Sequence, residues 1–388
     1  MRTTPYSDRT VLSVAAAVYL PLVFMGFGAD GDSYSVVNTA RQLLHGGGYV
    51  MSRAPGFPTH ELATAALLPL GGSIATNLGS MALSLVGLWS LLRICATLDV
   101  PHRDLVAWMV ALNPLYWINS ASSMDYVWAL GLSLAGVYAW LTDRPRIAGV
   151  LFGLAVGARV TAVIVPAAVA IVSLLPFFLP SFLPGPAPVF KPRHILPVLV
   201  IGTAVFCALY ALPFAAAGYS LAFFRPPTGR MLSYYLPEWS WAGHAARWVY
   251  KNLYLCGPPA SLAIVITACA YAVRRPSVKG AGLTLLVLAL LVAAGYEAAF
   301  WIAPLEAAYL LPILPFLAIA LAVVTRSRPV LLLVIALELS GAFVTFRFLT
   351  PDIPGAATSA RLTAAVEEGV VIGDVRERAR LRRAGTRR

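Results

Sequence analysis

The sequence predicts an all-α integral membrane protein of about eleven transmembrane helices. Three observations lead there. Of 388 residues, 59% are hydrophobic and only 12% charged, whereas soluble domains carry about 25% charged residues. Apolar runs of about 20 residues, the length needed to cross a bilayer, recur from end to end. The Lys and Arg residues gather in short connections and in the tail, so the formal charge of +12 fits topology and anionic lipid better than nucleic acid, which is rejected as a partner.

The expected spans fall near 10–28, 74–94, 104–120, 125–142, 147–159, 160–178, 195–216, 255–273, 280–300, 308–325 and 329–349. The first run, VLSVAAAVYLPLVFMGFG, leads straight into an acidic segment without a small-x-small cleavage site and is expected to remain a span. The fifth and sixth form one long apolar stretch, divided at Arg159. With that division, Arg2 and Arg9, Arg93 and Arg103, Arg144 and Arg146, Lys191 and Arg193, Arg274, Arg275 and Lys279, and Arg326 and Arg328 all fall on one side, which the positive-inside rule makes the cytoplasm. The N-terminus is then cytoplasmic. An odd span count puts the basic tail 350–388 outside, against its charge, although long tails translocate regardless of charge. The chain thus reads as one transmembrane domain, 1–349, plus that tail. Cys95, Cys207, Cys256 and Cys269 show no metal-type spacing and read as single thiols.

Two long loops, 29–73 and 217–254, lie on the outer side, and long loops between short ones usually carry function. In the first, GADGDSY puts Asp30 and Asp32 at the end of the opening span. Val36, Val37, Ala40, Leu43 and Leu44 then follow helical spacing, which predicts a short amphipathic helix lying flat at the interface. Asp32 or Ser33 is expected to cap its start, and Gly46 to end it in a left-handed conformation. Pro55, Gly56 and Pro58 impose a defined turn flanked by Arg53, His60 and Glu61. Asp30 and Asp32 read either as a cap with a solvated loop or as a catalytic carboxylate. The Asp-Gly-Asp spelling is too short to indicate a metal.

Asp125 sits at a short outer turn, where it either caps the fourth span or serves a site. Arg159, inside an apolar stretch, is by default a functional candidate: an anion ligand, or the partner of an acid such as Asp125. Glu338, mid-span, reads as a protonated group or a helix–helix contact rather than a site residue. In the second loop, Tyr234, Tyr235, Trp239, Trp241, Trp248, Tyr250 and Tyr254 suggest an interfacial belt. Ser240, His244, Arg247 and Lys251 share one helical face, predicting an amphipathic helix whose basic stripe meets lipid phosphates or the phosphate of a substrate. A later outer turn offers Glu297, Glu306 and Tyr309.

In order, GADGDSY, ARQLLHGG, SRAPGFP, ALNP, SASSMDY, GLAVGAR and AAYLLPILP resemble the GT-C glycosyltransferases, in particular bacterial relatives of the protein O-mannosyltransferases and of the lipid A aminoarabinose transferase. The resemblance runs over most of the chain and is strongest in 10–170. Relatives often have Asp-Glu where Asp32-Ser33 stands here, and a His or Lys with two prolines where Arg53-Ala54-Pro55 stands.

The resemblance implies a GT-C-like fold in a bacterial inner membrane and a polyprenyl-phosphate sugar donor reached from the bilayer. It also implies a glycan, lipid or protein acceptor entering from the outer face. Transfer would invert the anomeric centre and need no cofactor, nucleotide or obligatory metal. A carboxylate must take the acceptor proton, Asp32 first and Asp30 second. Arg53 and Arg159 would stabilise the departing phosphate, with Arg247 and Lys251 further out. His60, Glu61, Asp125, Glu306 and Tyr309 would complete the substrate site. The rival class is a transporter or flippase of a lipid-linked sugar, which would show an internal repeat and discontinuous helices in both halves. A catalytically silent binding protein is the remaining reading.

Overall fold

A computed structural model describes residues 7–28, 31–178, 189–221, 241–274, 278 and 280–340. Among these every regular element is helical, with α1 Asp8–Val23, α2 Gly31–Leu44, α3 Pro58–Thr97, α4 Arg103–Ala111, α5 Pro114–Asn119, α6 Tyr126–Leu141 and α7 Pro145–Ala158. A 3-10 turn, Val160–Val163, leads into α8 Ile164–Phe178. Then come α9 Ile195–Ala216, α10 Trp241–Cys256, α11 Pro258–Arg274, α12 Ala281–Ile302, α13 Ile313–Thr325 and α14 Arg328–Ser340. Asp30, the segment 222–240 with Tyr234, Tyr235, Trp239 and Ser240, and the tail 350–388 lie outside the described residues.

By length and composition, four helical segments suffice to cross a bilayer: α3, Val160–Phe178, Pro192–Ala216 and α12. A fifth arises if the α10–α11 pair, bent by 93°, is one span. The chain is therefore an integral membrane protein. Helices α6, α7 and α13 are apolar but shorter, so among the described residues four or five of the about eleven expected spans reach full length.

Breaks follow local chemistry. Pro114 opens α5 behind the cap of Asn113, whose side chain accepts from the amides of Leu115 and Tyr116 at 3.0 and 3.1 Å, so the run 104–120 is two helices. Arg159, with φ −159° and ψ 121°, is extended between α7 and the 3-10 turn, where the sequence divides. Gly71 and Gly72 leave the helical region inside α3. α2 begins at Gly31, two residues earlier than a cap at Asp32 requires, so Asp32 lies in the first turn. It ends as expected: Gly46 has φ +74°, with Gly46 N bonded to Leu43 O and Gly47 N to Gln42 O, the paired bonds of a Schellman cap.

α2 and α1 pack on α3, α3 on α6, α6 on α7 and α7 on α9. α12 and α13 pack together, with α8 against α12 and α4 against α13. Glycines set the close crossings: a Cβ on Gly131 of α6 would run into the Leu83 carbonyl of α3, and one on Gly153 of α7 would come within 2.8 Å of the Gly202 carbonyl of α9. Of the basic residues expected on one side, four lie at the same end of the bundle and pair with acids: Arg103 with Asp8 at 3.2 Å, Arg328 with Asp104 at 3.5 Å, and Lys191 and Arg193 with Asp143. The other end holds the candidate site.

Candidate active site

The site starts from the loop between α2 and α3. Glu61, in the first turn of α3, anchors it: its carboxylate accepts from the Ser52 amide at 2.9 Å, the Phe57 amide at 3.2 Å and the hydroxyls of Ser52 and Tyr49. A carboxylate offers about four acceptor positions, so Glu61 is fully engaged by the loop. From α9, the Tyr210 hydroxyl donates to Gly56 O at 2.9 Å.

The anchored loop presents Arg53, stacked on Phe57 with 4.4 Å from guanidinium to ring centre. Nη1 donates to Asp32 Oδ2, and Nη2 donates to Asp125 Oδ1 at 2.9 Å. Burial opposes the Arg53 charge, but Asp125 and Asp32 outweigh it and hold its pKa above the ordinary value. The other oxygen of Asp125 accepts from Arg159 Nη1 at 2.7 Å. Charges therefore alternate along Asp32, Arg53, Asp125 and Arg159, the arrangement that makes buried ions tolerable. Asp125 occupies the N-cap position of α6, as the sequence suggests, yet its side chain makes no capping bond. The two arginines have taken both oxygens.

The Arg159 guanidinium lies 4.3 Å from the ring centres of both Tyr126 and Tyr309. Tyr126 in turn donates its hydroxyl to Glu306 Oε2. Burial raises the Glu306 carboxyl above the ordinary carboxylate range; the Tyr126 bond offsets this in part and the nearby Asp32 adds to it. The Asp32 side chain is 30% exposed and that of Asp125 0%. Of these two acids, only Asp32 is open to an incoming hydroxyl.

The structure thus brings together Asp32, Arg53, Asp125, Arg159, Glu306 and Tyr309. Asp30 is outside the described residues. His60 is buried one residue before Glu61, edge-on to Trp128 at 5.5 Å. The basic stripe of α10 is placed otherwise than expected. His244, Arg247 and Lys251 are buried, while Trp241 and Val249 on another face are exposed. The stripe turns inward, where the chain around Pro304 offers it acceptors, rather than toward headgroups. Pro304 ends α12 and leaves an extended segment whose carbonyls have no helical partner. Arg247 Nε reaches Pro304 O at 2.8 Å and Nη2 reaches Leu305 O at 3.1 Å. His244 Nε2 lies 2.6 Å from Trp301 O, and Lys251 sits beside the Tyr250 ring at 5.7 Å.

Sequence reasoning missed Phe57, Tyr126, Tyr49 and Ser52. A signal existed for the first two: each is an aromatic residue close in sequence to a charged site candidate, Arg53 or Asp125. Nothing local marks Tyr49 and Ser52, whose role depends on how the loop folds back onto Glu61.

No family model and no curated protein matches this chain. Solved structures do. The crystal structure of ArnT from Cupriavidus metallidurans in the apo state is similar with TM-score 0.51 and 14% identity, over 81% of this chain and 59% of that one. The apo Archaeoglobus fulgidus oligosaccharyltransferase is similar with TM-score 0.50 and 14% identity, over 82% of this chain and 50% of that one. The chain spans less than two thirds of either. At such identity the likeness is one of fold, and the fold is GT-C-like.

Proposed function

We propose that this protein is a glycosyltransferase that moves a sugar from a polyprenyl-phosphate donor to an acceptor hydroxyl at the extracytoplasmic face. In this reading about eleven helical segments traverse the membrane with the N-terminus in the cytoplasm. The observation that carries the proposal is the alternating chain of Asp32, Arg53, Asp125 and Arg159, which is open at the Asp32 end and closed at Asp125. It offers a reachable base beside cations suited to a phosphate.

The acceptor oxygen attacks the anomeric carbon, its proton passes to Asp32, and the bond to the phosphate oxygen breaks with inversion. Polyprenyl phosphate leaves carrying the electron pair, with Arg53 and Arg159 stabilising its charge. Donor phosphate competes with Asp32 for Arg53, which loosens the carboxylate's hold on that guanidinium as the donor seats. Asp125 keeps both guanidinium groups in place throughout. The step needs no nucleotide and no metal. The fold likeness to a protein named as an oligosaccharyltransferase supports a transferase.

A transporter reading has one observation in its favour. Helices are discontinuous in both halves, at Gly71–Gly72 in α3 and at the 93° bend between α10 and α11. One experiment separates the two. Purified protein in detergent is given a synthetic polyprenyl-phosphate sugar and a set of acceptors, and release of free polyprenyl phosphate is followed. A transferase releases it. Transport in vesicles with the donor intact would favour the rival.

A further inference from the structure

The segment Ala303–Glu306 is a strap between α12 and the 3-10 turn Ala307–Leu310. Pro304 cannot continue a helix, and Glu306 has φ −131° and ψ 132°, so the strap runs extended past the site. It carries Glu306 to the Tyr126 hydroxyl, and Tyr126 lies on Arg159. Among the described residues, α10 holds the strap from the other side: Arg247 grips two consecutive carbonyls, at Pro304 and Leu305, and His244 meets Trp301 O. A planar guanidinium fork on adjacent carbonyls fixes direction as well as distance.

We infer that Arg247 is a positioning residue for the reaction: it sets the strap so that Glu306 holds Tyr126 against Arg159, and so links the second outer loop to the phosphate-binding end of the site. This rests on the function proposed above and assigns Arg247 a role through carbonyl contacts rather than as a phosphate ligand. Every link is a described contact. Arg247 is 7% exposed, which also keeps it from headgroups.

The test is a double-mutant cycle on turnover of a polyprenyl-phosphate sugar, with Arg247→Met, Glu306→Ala, which leaves Tyr126 no acceptor there, and the pair. Misplacement of a catalytic group by about 1 Å costs up to roughly a hundredfold, so Arg247→Met is expected to lower kcat roughly ten- to a hundredfold with little change in donor KM. In the Glu306→Ala background it should then cost little more, because both changes cut one chain of contacts. Fully additive losses, or a lower melting temperature with unchanged kcat, would overturn the inference. So would a rise in donor KM alone, which marks a direct phosphate ligand. If Arg247→Met does not fold, Arg247→Lys takes its place in the cycle, and failure of both to fold would assign Arg247 a purely structural role. Hydrogen exchange of 303–310 reads the strap without substrate. Faster exchange there in the Arg247 variant supports the linkage even if the wild-type protein transfers no sugar, an outcome that would sink the functional reading instead. Unchanged exchange would overturn the linkage itself.

Discussion

Arg159 and Asp125 meet across two helix ends. Nη1 of the arginine lies 2.7 Å from Oδ2 of the aspartate, although the residues are 34 apart and each sits just outside the helix it borders. Asp125 thereby becomes the shared counterion of Arg159 and Arg53, and the geometry of both cations depends on one buried carboxylate.

Asp125→Asn tests that dependence. Removing one partner of a buried ion pair costs about 3–5 kcal/mol because the other charge stays buried. Asparagine keeps one acceptor, so a loss of roughly 3 kcal/mol is expected, read as a lower unfolding temperature in detergent. An unchanged transition would show that the two arginines do not rely on Asp125. Arg159→Lys should be milder for the fold yet not neutral. A lysine keeps the charge and loses the planar guanidinium placed 4.3 Å from the Tyr126 and Tyr309 ring centres, a contact for which about 2 kcal/mol is typical when desolvated.

Much of this site was legible in the sequence because charge in an apolar context is conspicuous. Asp32, Arg53, Asp125 and Arg159 each stand out against apolar or Pro-Gly surroundings, and the possible pairing of Arg159 with Asp125 followed from its need for a partner. The Schellman cap at Gly46 and the break at Arg159 were legible for similar local reasons. The reversed face of α10 was not. Periodicity shows that His244, Arg247 and Lys251 share a face, but not which way it points. The carbonyls around Pro304 that receive it lie far along the chain. The full complement of spans was likewise not settled by apolar runs, since Asn113–Pro114 breaks one into short pieces that hydropathy merges.

Glu61→Gln probes the loop that presents Arg53. The carboxylate accepts bonds from two backbone amides and two hydroxyls, and an amide replaces one acceptor oxygen by a donor. Hydrogen bonds to charged groups contribute about 1.5–3 kcal/mol. The variant should lose stability on that scale, and donor affinity should fall with it because Arg53 rides on the same loop. Normal stability with normal donor use would show that the loop holds without its anchor.

Glu306 predicts a pH signature. Its carboxyl is raised by burial, so the folded protein holds this proton to higher pH than the unfolded chain, whose Glu value is about 4.3. The contribution is present below that value and lost as pH rises through the raised one. Glu306→Gln, which keeps an acceptor for Tyr126, removes the ionisation. The variant should gain stability relative to the parent as pH rises from acid to neutral, and the difference should shrink again in acid. Melting curves of both proteins across that range check it; a difference of the opposite slope would mean that Glu306 is ionised and paired in the fold.

The central claim is that Asp32 accepts the proton of the acceptor hydroxyl. Its most direct test is the rate of sugar transfer from a polyprenyl-phosphate donor by Asp32→Asn, measured beside wild type with thermal unfolding and donor binding on the same samples. A general base typically contributes about 100- to 10,000-fold. The expected result is a loss of that size with folding and donor binding retained. Turnover close to wild type in a folded Asp32→Asn protein would contradict the claim.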